Sequence, residues 1–233
     1  MLHAKTEKEL NAKLAALDLS VLRRSKGRKK RQVERSHAAH LLSTLPSQRL
    51  SFPLTLEHRD RPDFLLTMGK CSIGIEHTEA VPQNEAHASV LRDKLPCTHD
   101  VYFISRVVPG EQKKPSKQLI EEICGDKPGP PWEGDSVERE WAEAMAYFAV
   151  NKLNKAKAQG FQKFERNWLL IYDNWPLPMV DVSKASKTLS KLDSMRDVMT
   201  EFDSIFVMND IKLWELSQRK NFVYDIIDPG SNS

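Results

Sequence analysis

The stretch from Arg61 to Glu79, RPDFLLTMGKCSIGIEHTE, holds two carboxylates placed to act together. Phe64 to Met68 is apolar enough for a buried strand, Gly69 and Lys70 make a turn, and Cys71 to Thr78 resumes as a returning strand. Side chains alternate along a strand, so Ile73, Ile75 and His77 face one way and Gly74, Glu76 and Thr78 the other. Asp63 stands at the mouth of the first strand, where the hairpin brings it toward Glu76. An acid inside so apolar a strand costs on the order of several kcal/mol if it stays unpaired. A salt bridge, a solvated sheet face and a divalent cation each meet that need, and these residues alone leave all three open.

Cationic groups come from two other places. Asp135 and Glu138 are a helix-capping signature, and the helix they open is expected to run to about Gln159, with Val137, Trp141, Met145 and Phe148 as its buried stripe. Continued at the same spacing, the stripe reaches Lys152 and then Lys155. These lysines either snorkel past the core edge into water or reach the acids, Lys152 ahead of Lys155. Between Arg23 and Arg35 eight basic residues stand against the single acid Glu34, so the rest of the chain is net acidic although the total charge is +3. Arg23, Arg24, Lys26, Arg28, Lys29, Lys30 and Arg31 suit contacts to a phosphate backbone, or else form a solvated linker. A helix is expected from about Arg28 to Leu45, with Ala38, Leu41, Leu42 and Leu45 as its apolar stripe. Glu34 lies on the line of that stripe and is directed at the sheet, unless it balances its basic neighbours at the surface.

Pro62-Asp63, a short hairpin and then Gly74-Ile75-Glu76-His77-Thr78 resemble the PD-(D/E)xK nuclease superfamily, the restriction-endonuclease-like fold. The resemblance implies an α/β fold: a mixed central sheet flanked by helices, here with an N-terminal helical and basic extension and a loop-rich insertion. It implies that Asp63 and Glu76 hold Mg²⁺ or Mn²⁺ and that the His77 carbonyl adds a ligand. Thr78 stands where the family has lysine, and it has neither the charge nor the basicity of that residue. Lys152 or Lys155 would then supply the missing cation from the helix. Glu34 matches the accessory acid that some members carry on the helix before the first strand.

The remaining chain supports that frame. Thr6 to Glu9 has capping-box spacing, and Leu10, Leu14 and Leu17 give a short amphipathic helix. Leu50 to Glu57 is expected as a strand, with Pro53 arguing for an edge or bulge. A short helix over Glu85 to Leu91 and a strand over Val101 to Val108 follow. Pro109 to Asp135 has loop composition apart from a helical patch at Leu119 to Ile123. Trp168 to Tyr172 is a continuous apolar run, as in a strand covered on both faces, and Asp173-Asn174 is a turn. One helix over Lys184 to Phe202 and a hairpin of Ile205 to Met208 with Leu213 to Leu216 close the core. Residues 1–27 form the extension, 28–227 the nuclease-like domain with its insertion at about 109–135, and 228–233 a tail.

A chain of 233 residues with 40% hydrophobic and 29% charged residues has the composition of a soluble globular protein. It carries no membrane-length apolar run and no signal-peptide core. Cys71, Cys97 and Cys124 lack metal-type spacing and are expected as reduced thiols, which points to the cytoplasm. There is no G-x-x-x-x-G-K-S/T, G-x-S-x-G or H-E-x-x-H motif, and no internal repeat. The expected function is metal-dependent hydrolysis of phosphodiester bonds in DNA or RNA. The alternatives are a nuclease-like nucleic-acid-binding module without turnover and a protein-interaction subunit of a defence-type assembly. A second copy or a partner protein is allowed for; a membrane is not.

Overall fold

A computed structural model describes residues 1–95, 107–125, 131–158 and 160–229. It is an α/β structure in which eight strands form one mixed sheet in chain order. These are β1 (Leu2–Ala4), β2 (Leu54–His58), β3 (Phe64–Met68), β4 (Cys71–Ala80), β5 (Arg166–Asp173), β6 (Ser204–Met208), β7 (Lys212–Leu216) and β8 (Phe222–Asp225). Neighbours pair antiparallel from β1 to β4 and again from β6 to β8. The pairs β4–β5 and β5–β6 are parallel, so the carboxyl ends of these three strands lie at one end of the sheet. The helices among the described residues are α1 (Glu7–Ala15), α2 (Lys30–Thr44), α3 (Gln83–Arg92), α4 (Ser116–Cys124), α5 (Ser136–Ala156), α6 (Val182–Lys191) and α7 (Asp193–Glu201). None is long and apolar enough to cross a membrane.

Alternation along the strands divides the core in two. Ile73, Ile75, Trp168, Leu170, Phe206 and Met208 pack with Leu10, Leu14, Leu41 and Leu42 of α1 and α2. On the other face Leu169, Ile171, Ile205 and Val207 pack with Trp141, Met145, Ala149 and Leu153 of α5 and with α6 and α7. β5 and β6 are thus apolar on both sides, as expected of central parallel strands. Gly74 is required by close approach: a Cβ there would lie 2.9 Å from a Phe164 ring carbon and 3.0 Å from Pro62 Cγ.

Several expectations need correction. The first 27 residues are no appended extension: β1 extends the sheet, and Ala4, Leu10 and Leu14 are buried in its core. Strand β2 starts after Pro53 rather than at Leu50, so the proline breaks no ladder. The helix expected over Lys184 to Phe202 is two, because Leu192 leaves helical geometry with ψ of 131°. Leu189 of the first and Met195 and Val198 of the second are buried. The hairpin does not finish the sheet, since the polar-flanked β8 adds to it. Asp135 makes no side-chain cap on α5; Ser136 Oγ accepts from Glu133 N–H at 3.0 Å, and Glu138 accepts from Asp181 N–H at 3.3 Å. In the loop-rich segment, Leu119 and Ile123 of α4 meet Ala88 of α3 in a small separate core. The strand expected over Val101 to Val108 lies outside the described residues except for its last two, which are coil. Cys71 is a free thiol, but Cys124 is in a disulfide, so the expectation of uniformly reduced cysteines does not hold.

Candidate functional site

Asp63 lies one step beyond the last rung of the β3–β4 ladder, where Phe64 pairs with Ile75. Continuing that register sets it opposite Glu76. With no further strand to accept it, the His77 N–H donates to Asp63 Oδ2 at 2.8 Å, so the side chain completes the ladder. Glu76 projects to the α5 side, and there the long stripe of α5 delivers Lys152. Its ammonium donates to Glu76 Oε2 at 2.6 Å and to Asp63 Oδ2 at 3.1 Å. All three side chains are buried: Asp63 is 4% exposed, Glu76 5% and Lys152 8%.

The two acids are pushed in opposite directions. Burial would raise Asp63, but the Lys152 ammonium and the His77 N–H outweigh it and hold Asp63 below the ordinary aspartate value. Burial raises Glu76, the Asp63 charge adds to that, and Lys152 offsets only part. Two like charges facing one cation behave this way: one is ionised readily and the other reluctantly.

A second cation reaches the cluster from α2. Lys30 Nζ stands 3.3 Å from Asp63 Oδ1 and 2.9 Å from Glu34 Oε1, the latter an ion pair without hydrogen-bond geometry. Glu34 raises the Lys30 pKa, with burial opposing and Asp63 adding. Glu34 itself is 1% exposed, so the surface alternative for this residue is set aside; its Oε2 lies 2.8 Å from His58 Nε2. Asp63 is therefore shared between two ammonium groups, one on each oxygen.

The cluster backs onto a recess of about 340 Å³ lined by Lys30, Glu34, His77, Thr78, Lys152 and Lys155, together with Arg24, Arg28, Val33 and Glu79. Thr78 sits on the Glu76 face of β4 and opens into this recess, whereas Lys155 is exposed at its rim. Lys152 and not Lys155 meets the acids. The imidazole of His77 points to the α2 side, where its Nε2 lies 2.8 Å from His37 Nδ1. Burial lowers both rings, His37 to about 4, so they meet as neutral imidazoles with one N–H donating. His37 in turn stacks on Tyr172, with ring centroids 3.9 Å apart.

The basic segment is less free than its composition implies. Arg24 Nη2 donates to Glu79 Oε1 at 2.6 Å, Arg28 Nη1 donates to the same oxygen at 3.3 Å, and Asn174 Nδ2 joins them at 2.8 Å. Burial would raise Glu79, but Asn174 and the two arginines hold it low. Arg23, Lys26, Lys29 and Arg31 are exposed, Arg23 with an ion pair to Asp93 at 3.7 Å. Asp173 keeps its turn role, accepting from Trp175 N–H at 3.2 Å, and it also accepts from Trp141 Nε1 at 2.6 Å.

His58, His37 and Glu79 belong to the cluster and were not singled out by the sequence. Glu79 carries a readable signal, being a strand acid one residue past Thr78; His58 and His37 are visible only once β2 and α2 are placed. Among the described residues no three or more His, Cys, Asp or Glu side chains are grouped as a metal site. The donor set still suits a hard divalent cation. Asp63 Oδ2 and Glu76 Oε2 converge on a single cationic point, which is the requirement for joint chelation by oxygen. No protein-family model matches this chain, and no curated protein or solved structure matches it either.

Proposed function

We propose that this protein is a metal-dependent nuclease built on a restriction-endonuclease-like core, hydrolysing phosphodiester bonds in DNA or RNA. The observation that carries the reading is the convergence of Asp63 and Glu76, from neighbouring strands, on one buried cationic point. An antiparallel meander followed by a helix and a parallel return strand supports the same core. Asp63 and Glu76, with the His77 carbonyl, would hold Mg²⁺ or Mn²⁺, which when bound polarises a phosphoryl oxygen and makes a bound water acidic. Lys152, which pairs with both acids in this structure, would supply the positive charge that Thr78 lacks. Thr78 offers a hydroxyl to a phosphate oxygen or a water. Lys155, Arg23, Lys26, Lys29 and Arg31 contact the nucleic-acid backbone without reading sequence. Glu34, buried against Lys30 and His58, positions Lys30 beside Asp63.

The test is cleavage of mixed DNA and RNA substrates in Mg²⁺ and Mn²⁺, with Asp63→Asn and Glu76→Gln as controls. Cleavage lost in both variants is the expected result; cleavage that survives both removes this site from the account. A second reading, a nucleic-acid-binding module without turnover, is favoured by Thr78 and by the two lysines that already neutralise the acids. Salt-dependent binding of nucleic acid with no cleavage in either metal would establish it. A cytoplasmic location belongs with these proposals, and the disulfide at Cys124 removes the thiol argument for it.

A further inference from the structure

Beyond the carboxyl ends of β5 and β6 lies a second recess, of about 580 Å³, that the cleavage chemistry does not use. Its lining includes Arg28, His37, Tyr172, Asn174, Asn209 and Asp210. Crevices at the carboxyl ends of parallel strands are where open α/β sheets take ligands, and the volume is that of a small-molecule site. The two recesses adjoin: Arg28 lines both, and His37 in one is hydrogen-bonded to His77 in the other. Arg28 also carries an unmet demand, because its Nε is buried and has no hydrogen-bond partner while Nη1 is engaged with Glu79.

The lining restricts the ligand. Arg28 and Arg23 attract an anion, whereas Asp228 joins Asp210 as an acid of the lining. Asp210 repels an anion; it accepts from the Tyr172 hydroxyl through Oδ1, which leaves Oδ2 for a further donor. A simple anion satisfies the arginines alone, and a cation satisfies Asp210 and Asp228 alone. A ligand with a phosphate at one end and amino groups at the other satisfies both, and Leu22, Met208 and Ile226 add apolar surface to the lining.

We propose that this recess binds one unpaired nucleotide of the substrate strand, with its phosphate on Arg28 and its base edge on Asp210. The proposal rests on the hydrolytic reading above and makes the substrate a single strand, a frayed end or an extruded nucleotide, not an intact duplex.

Calorimetric titration of the full chain with deoxyadenosine, deoxycytidine and thymidine 5′-monophosphates, and with inorganic phosphate, tests it without metal or turnover. The expected result is nucleotide binding at least about 10-fold tighter than phosphate, weakened at least about 5-fold by Leu22→Asp. That substitution places a negative charge at an exposed position of the lining and leaves the core untouched. Asp210→Asn should change the order of preference among the three bases, because it adds a donor where only acceptors stood. Equal affinity for phosphate and nucleotide, affinity unaffected by Leu22→Asp, or an unchanged base order in Asp210→Asn would each overturn the assignment. Nucleotide binding without cleavage of any nucleic acid leaves the recess standing and removes the hydrolytic reading. Cleavage without nucleotide-selective binding does the reverse.

Discussion

Two groups of buried carboxylates lie in this sheet, and they solve the same physical problem differently. Glu215 of β7 is 1% exposed and fully satisfied: it pairs with Arg49, accepts from Ser204 Oγ at 2.8 Å and accepts from Tyr224 OH at 3.2 Å. One charge meets one opposite charge, and hydroxyls fill the remaining lone pairs. Asp63 and Glu76 are buried to a similar degree, but they share Lys152, with Lys30 on the other oxygen of Asp63, and burial with mutual repulsion raises Glu76. Burial of an acid therefore does not by itself mark a site. What distinguishes the pair is that two acids from neighbouring strands converge on one cationic point, whereas Glu215 meets its arginine alone.

Removing the cation from each group separates them most sharply. Lys152→Met leaves two buried carboxylates facing each other and should destabilise the fold by about 3–5 kcal/mol, the range for breaking a buried ion pair. Arg49→Met should cost about 1–3 kcal/mol, since the Ser204 and Tyr224 hydroxyls remain on Glu215 and Arg49 is partly exposed. Urea unfolding at neutral pH measures both, and an equal or reversed order would dissolve the distinction. Adding Glu76→Gln to Lys152→Met should recover part of the loss.

Backbone packing beneath the pair comes next. Gly74→Ala should cost about 1–3 kcal/mol by overpacking against Phe164 and Pro62, read as a fall in the urea midpoint. Little change would show that these neighbours shift freely.

The acid pair also leaves a signature in pH. Glu76 has a folded pKa above its unfolded value, so the stability it contributes is complete below about 4.5 and is lost as pH rises through the raised value. Asp63 is the reverse: its contribution is present above about 3.8 and is lost as pH falls through its depressed value. Glu76→Gln should therefore make the slope of stability against pH less negative just above 4.5, measured by unfolding across that window. An unaltered slope would mean that Glu76 titrates normally. The smallest effect should come from Thr78→Val, which removes a hydroxyl but no charge. It should lower cleavage by less than about 10-fold, where Lys152→Met abolishes it.

Much of this was legible in the residues, for reasons that differ by element. The hairpin was readable because strand alternation is rigid: once Ile73 and Ile75 face the core, Glu76 must face away from them. Lys152 was readable because α5 keeps one helical phase from Trp141 through Met145 to the acid pair. Glu34 was directed at the sheet by the same periodicity. What the sequence concealed depends on partners far apart in the chain. The clamp of Arg24 and Arg28 on Glu79 requires the start of α2 to lie beside the end of β4, and no local pattern encodes that. The break at Leu192 was hidden because a single stripe of Leu189, Met195 and Val198 can be drawn through it. β1 was missed because three residues are too few for alternation to register.

The central claim is that Asp63 and Glu76 form one cation site, held by the Lys152 ammonium when no metal is bound. Calorimetric titration of Mn²⁺ into the wild type, Asp63→Asn, Glu76→Gln and Glu215→Gln tests it most directly. The account predicts saturable binding in the wild type and in Glu215→Gln, weakened at least about 10-fold by either substitution in the pair. Mn²⁺ affinity that is unchanged in Asp63→Asn and Glu76→Gln, or absent from the wild type at millimolar metal, would contradict it.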